Sequence, residues 1–158
     1  MNKINKKFMA RAIELAEENA NSNNGGPFGA VVVKDGKIIG EGINSVTKTN
    51  DPTAHAEITA IRQACKKIKS FKLDGCDIYS STEPCPMCLG AIYWACLKKI
   101  YYATTRNDAA KADFNDSLIY KEFGLPEDKR TIPSEQIMRK ESLEVLKEWE
   151  KNDCKVEY

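Results

Sequence analysis

Histidine is almost missing from this chain, with one in 158 residues, so any site that needs an imidazole has a single candidate. No stretch of about 20 apolar residues occurs, which excludes an ordinary membrane-spanning helix. The amino-terminal segment MNKINKKFMARAIELAEENA is broken by charges and has no apolar h-region. A cytoplasmic protein is expected. Basic excess is missing too. Lys+Arg of 24 against Asp+Glu of 23 leaves a net charge of +1, unlike a protein that neutralises many phosphates. Nucleic acid is therefore a disfavoured partner, and a membrane is not expected. There is no internal repeat, low-complexity tract or linker, so residues 1–158 read as one domain. That length buries a core without disulfide staples.

Six cysteines are present, at 65, 76, 85, 88, 96 and 154. In a reducing compartment they are thiols or metal ligands rather than disulfides. Cys65 falls on the apolar stripe of a helix and Cys76 opens a strand, which suits small buried hydrophobes. Cys96 and Cys154 suggest no role.

Periodicity supplies the elements. Phe8, Met9, Ala12, Ile13, Leu15 and Ala16 recur at helical spacing and predict a first helix ending before Asn21. Gly29 to Lys34 and Lys37 to Gly40 flank Asp35-Gly36, a hairpin signal, because glycine accepts the positive φ of a type I′ turn. Ile58, Ile61, Ala64, Cys65 and Ile68 predict a second helix. A strand follows over Cys76 to Ser81, then a helix opened by Pro86, whose missing N–H costs nothing there. Lys98 to Thr105 predicts another strand, Ile132 to Met138 a short one, and Leu143 to Trp149 a last helix. Strands alternating with helices imply an α/β fold with helices on both faces of a sheet. The antiparallel hairpin makes that sheet mixed, with about five strands.

The chemistry sits in His55-Ala56-Glu57 and Pro84-Cys85-Pro86-Met87-Cys88. One imidazole and two thiolates suit a tetrahedral zinc with its fourth position open, the arrangement of catalytic rather than structural zinc. Cys85 and Cys88 are three apart at a helix start, so both sulfurs reach one ion, and the helix N-terminus favours thiolate. Two thiolates cancel the charge of Zn²⁺ and make it a weaker acid, so a neighbouring base is useful. Glu57 is the candidate. Two residues from His55 on a helix, it faces elsewhere and serves as proton carrier rather than ligand.

The H-x-E…P-C-x-x-C arrangement resembles that of zinc-dependent nucleobase deaminases. The resemblance covers nearly the whole chain. Residues 26–36, 50–57 and 83–95 look like the branch holding bacterial guanine deaminases and tRNA adenosine deaminases. Ala112 to Glu122, Arg130-Thr131-Ile132-Pro133 and Glu157-Tyr158 resemble the guanine deaminases. A tRNA-editing relative would carry a more basic final helix, whereas Glu141 to Glu150 is rich in acids. Asn115 stands where a second acid is expected, and Ala95-Cys96-Leu97 lacks a basic residue often found after Trp-Ala.

The resemblance implies a cytidine-deaminase-like three-layer α/β/α sandwich and one zinc per chain on His55, Cys85 and Cys88. It implies hydrolysis of free guanine to xanthine and ammonia, a step of purine metabolism. Glu57 would be catalytic, Asn44 and Asp116 would hydrogen-bond the base, and Phe28 and Trp94 would line its pocket. It also implies a homodimer that exchanges a segment of about residues 130–158, with Tyr158 capping the partner's site. The alternatives are a tRNA adenosine deaminase, another free-base deaminase such as a cytosine deaminase, and a non-catalytic zinc module. Glu57 argues against the last.

Overall fold

Ala30, Val31, Val32 and Val33 are apolar in succession because both faces of their strand are covered. In the computed structural model, which describes residues 6–22 and 24–157, Val31 and Val33 pack with Phe8, Ala12, Leu15 and Tyr79 on one side. Ala30 and Val32 pack with Ala56, Ala60, Ala64, Ile78 and Ile92 on the other. Full burial of a Val, Leu, Ile or Phe side chain is worth about 1.5–3 kcal/mol, so the larger members of these two clusters hold the layers together.

The elements of the first part are α1 (Lys6–Ala20), β1 (Gly29–Lys34), β2 (Lys37–Ile43), a one-turn α2 (Val46–Thr49), α3 (Ala56–Ile68), β3 (Asp77–Thr82), α4 (Pro86–Trp94), β4 (Lys99–Thr104) and α5 (Arg106–Lys111). Among the described residues the strands form one four-stranded sheet in the order β2-β1-β3-β4. The β1–β2 and β1–β3 pairs are antiparallel and β3–β4 is parallel. The mixed sheet with α1 on one face and α3 and α4 on the other matches the expected α/β/α sandwich. Asp35 and Gly36 both take positive φ, 48° and 73°, as the type I′ hairpin requires.

β2 runs past the expected end at Gly40, to Ile43. The reason is steric. A Cβ at Gly42 would strike the Ala56 carbonyl and the Ala60 amide, and one at Gly40 the Ala60 carbonyl and the Ala64 amide. Glycines on the strand and alanines on the helix thus let β2 and α3 approach closely. Edge strands otherwise invite pairing with another chain. Here Gln63 of α3 accepts from the Glu41 amide, and the Lys67 ammonium donates to the Ile38 carbonyl at 3.4 Å.

The chain divides into two compact units, Met1–Asp116 and Ser117–Tyr158. The second holds α6 (Ser117–Phe123), a 3-10 turn (Glu127–Lys129) and α7 (Arg139–Glu150). The strand expected over Ile132 to Met138 does not form, which leaves four strands instead of five. Pro133 has no N–H to give a ladder. Thr131 is tied locally, its amide and hydroxyl donating to the Glu122 carboxylate at 2.7 and 2.9 Å. Met138 has a φ of 52°, in the left-handed region that breaks an extended run. Ile132 remains 81% exposed, so its apolar side chain gains nothing from the extended state.

Candidate metal centre and active site

His55 ends the loop before α3 and Cys85 the loop before α4, each at the N-cap position of its helix. Cys85 follows the carboxyl end of β3, where open α/β sheets place their ligands. Pro86 opens α4 and sends Cys88 back towards the same point one turn later. The Cys85 and Cys88 sulfurs lie 3.6 and 3.5 Å from His55 Nδ1. Among the described residues these three form the group able to hold a metal, with all ligand atoms within 4.8 Å of one another.

Two soft sulfurs and one imidazole suit zinc and leave room for a fourth ligand. Cys85 favours the thiolate form that a metal ligand needs. The Cys88 S–H donates to Cys85 and pulls its thiol down to about 4, against burial, with help from His55. Cys88, which shares its proton with Cys85 and is buried, is pushed well up. His55 is pushed up by its hydrogen bond to Cys85.

Glu57 is 6% exposed. The Ser80 hydroxyl donates to its Oε1 at 3.3 Å, and the Cys88 sulfur lies 3.4 Å from its Oε2. Burial, reinforced by the neighbouring Cys85, raises its carboxyl above the ordinary value. The carboxylate thus sits beside Cys88 and outside the group of three that could hold a metal. Ser80, on β3, was not singled out from the sequence, where it is one hydroxyl in Ser80-Ser81-Thr82.

Asn44, the residue after β2, is 5% exposed. Its Oδ1 accepts from the Gly26 and Val46 amides, both at 3.2 Å. The acceptor is therefore spent on backbone, and the amide has its N–H groups to offer. The Asn44 backbone N–H donates to the Phe28 carbonyl at 3.2 Å. The Phe28 ring meets Phe114 edge-on at 4.8 Å, a favourable aromatic geometry. Asp116 is half-buried. Burial and then the Cys85 charge raise its carboxyl, which puts it within electrostatic reach of the metal ligands. Trp94 ends α4 and is 68% exposed, so ordinary core packing does not explain it. Tyr158 lies outside the described residues.

The chain matches the zinc-binding region of cytidine and deoxycytidylate deaminases over residues 2–104. It belongs to that family. It is 56% identical to a guanine deaminase of Bacillus subtilis (strain 168) over 151 residues, 96% of this chain and 97% of the relative. The X-ray structure of guanine deaminase from Bacillus subtilis superposes with a TM-score of 0.95 at 54% identity, covering 100% of this chain and 99% of that one. A tRNA-specific adenosine deaminase of Buchnera aphidicola subsp. Schizaphis graminum is 38% identical over 137 residues, 87% of this chain and 85% of the relative. The fold is that of the family, and its members' metal is zinc. Among the described residues no helix is long and apolar enough to cross a membrane.

Proposed function

We infer that the chain catalyses the hydrolytic deamination of free guanine to xanthine and ammonia, with one zinc held by His55, Cys85 and Cys88. The observation that carries the chemistry is the buried Glu57 carboxylate, 3.4 Å from Cys88 and outside the ligand group. A structural zinc site has no use for such a group. The substrate follows from likeness over nearly the whole length to a guanine deaminase, where the tRNA enzyme is more distant. α7 adds to this. Its RKESLEVLKEWE has four acids against three bases, a poor surface for phosphates.

Zinc on these ligands supplies the Lewis acidity that lowers a water's pKa. Glu57 takes the water's first proton and passes it to the ring nitrogen beside C2 as the oxygen bonds to C2. It then carries the second proton to the amino group, and the C–N bond breaks to release ammonia. The carboxylate returns unprotonated. Ser80 holds one of its oxygens throughout, leaving the other to move the proton. Asn44 donates to an acceptor on the base and Asp116 accepts from its N–H groups. That pairing selects guanine over bases that lack a matching N–H.

The protein works in the cytoplasm, where metal-binding thiols stay reduced. It is one deaminase domain that acts as a homodimer, in which about residues 130–158 are exchanged and Tyr158 covers the partner's site. Support comes from the separate Ser117–Tyr158 unit and its exposed Ile132, Ile137, Val145, Leu146 and Trp149. Such an element gives a dimer at low cost, and a covered site keeps water from the chemistry.

Both substrate assignments have one test. Asp116→Ala is expected to lower kcat/KM on guanine by about 10- to 150-fold, the equivalent of a charge-assisted hydrogen bond of about 1.5–3 kcal/mol. Deletion of residues 155–158 should also lower turnover, with zinc at one per chain in both variants. Full turnover in either would remove that residue or segment from the site.

A further inference from the structure

Asn19 sits near the end of α1, outside the metal site, and is 1% exposed. Buried amides need partners, and this one has them all. Nδ2 donates to the Gly26 carbonyl at 2.7 Å and to the Asn44 carbonyl at 2.9 Å. The Ser22 hydroxyl shares its one hydrogen between the Asn19 main-chain carbonyl at 2.8 Å and Oδ1 at 3.1 Å. The two carbonyls it holds belong to the two residues joined by the Asn44 side chain, because the Gly26 amide donates to Asn44 Oδ1. The result is a closed ring. The Asn19 amide binds the Gly26 carbonyl, the Gly26 N–H binds the Asn44 side chain, and the Asn44 carbonyl returns to Asn19.

We propose that Asn19 is a positioning residue for the substrate, fixing through this ring the place and orientation of the Asn44 amide. The proposal rests on Asn44 being a base contact. With Oδ1 held by the Gly26 and Val46 amides, the flip of that amide is settled and its Nδ2 is presented as a donor. Among the described residues Nδ2 has no acceptor of its own.

The residue type follows from the ring. Two hydrogens on one nitrogen reach two carbonyls, and the same group accepts from Ser22. Aspartate would set a carboxylate against two carbonyl oxygens, and serine has one hydrogen to give. The surrounding backbone is shaped to the same end. A Cβ at Gly25 would collide with the Asn44 side-chain and main-chain oxygens, and one at Gly26 would press on the Phe28 ring at 2.8 Å. Asn44 is thus seated against bare backbone that Asn19 holds in place.

The test is a double-mutant cycle on zinc-loaded protein with guanine as substrate. Asn19→Ala is expected to lower kcat/KM by about ten- to a hundredfold, the scale of a slightly misplaced contact. Zinc should remain at one per chain and thermal unfolding should remain cooperative. In an Asn44→Ala background the same change should cost less than about twofold, since coupled residues are not additive. A purely structural Asn19 would lower activity by the same factor in both backgrounds, and that result, or full activity of Asn19→Ala, overturns the proposal. Full activity of Asn44→Ala would instead overturn the base-contact reading, and this proposal with it. Should Asn19→Ala fail to fold, Asn19→Ser, which keeps one donor, goes through the same cycle under the same criteria.

Discussion

Glu57→Gln is expected to keep zinc at one per chain and to lower guanine turnover by about 10²–10⁴-fold, the usual worth of general acid–base catalysis. The substitution is nearly isosteric. A glutamine oxygen still accepts from Ser80, which donates to Glu57 Oε1 at 3.3 Å, so the side chain keeps its place. What it loses is the ability to take up and release a proton, which is needed twice per turnover. Burial raises the Glu57 carboxyl and so moves its proton affinity towards neutrality, where a proton carrier is most effective. Ammonia release and elemental analysis on the same preparation decide the matter. Near-wild-type turnover with zinc bound would mean that another group carries the proton.

Loss of the metal should cost even more. His55→Ala and Cys88→Ala are each expected to fall well below one zinc per chain and to show no measurable deamination. His55 is the one histidine in the sequence, so no other imidazole replaces it. Cys88 is fully buried against Cys85, His55 and Glu57, and alanine there leaves a two-ligand site. The ligands must shed protons to bind the metal, so chelator-driven release should quicken as pH falls. Because binding to the folded state stabilises it, the stripped protein should unfold at lower temperature than the loaded one. Stoichiometric zinc in His55→Ala would remove that residue from the ligand set.

The metal centre was legible because its residues are chemically rare. A single histidine leaves no competing choice, and Pro84-Cys85-Pro86-Met87-Cys88 marks a helix start by proline alone. The sheet was legible where burial on both faces imposes an apolar run, as at Ala30 to Val33. α5 could have been found, since Thr105 and Asp108 form a capping box, each side chain bonded to the other's backbone amide. Ile132 to Met138 misled because β-branched residues favour strands only when an edge is there to pair with. Asn19 was out of reach for a different reason. In Glu17-Glu18-Asn19-Ala20-Asn21 it reads as one more solvated polar residue, and only the fold brings the carbonyls of Gly26 and Asn44 to its amide.

The central claim is that this zinc site acts on free guanine. Its most direct test is ammonia release by the zinc-loaded protein over guanine, adenine, cytosine, cytidine and a tRNA anticodon hairpin under one set of conditions. Guanine should be consumed far faster than every other substrate, with xanthine as product and the hairpin left intact. Efficient deamination of the hairpin with guanine untouched would contradict the claim and make this chain a tRNA adenosine deaminase.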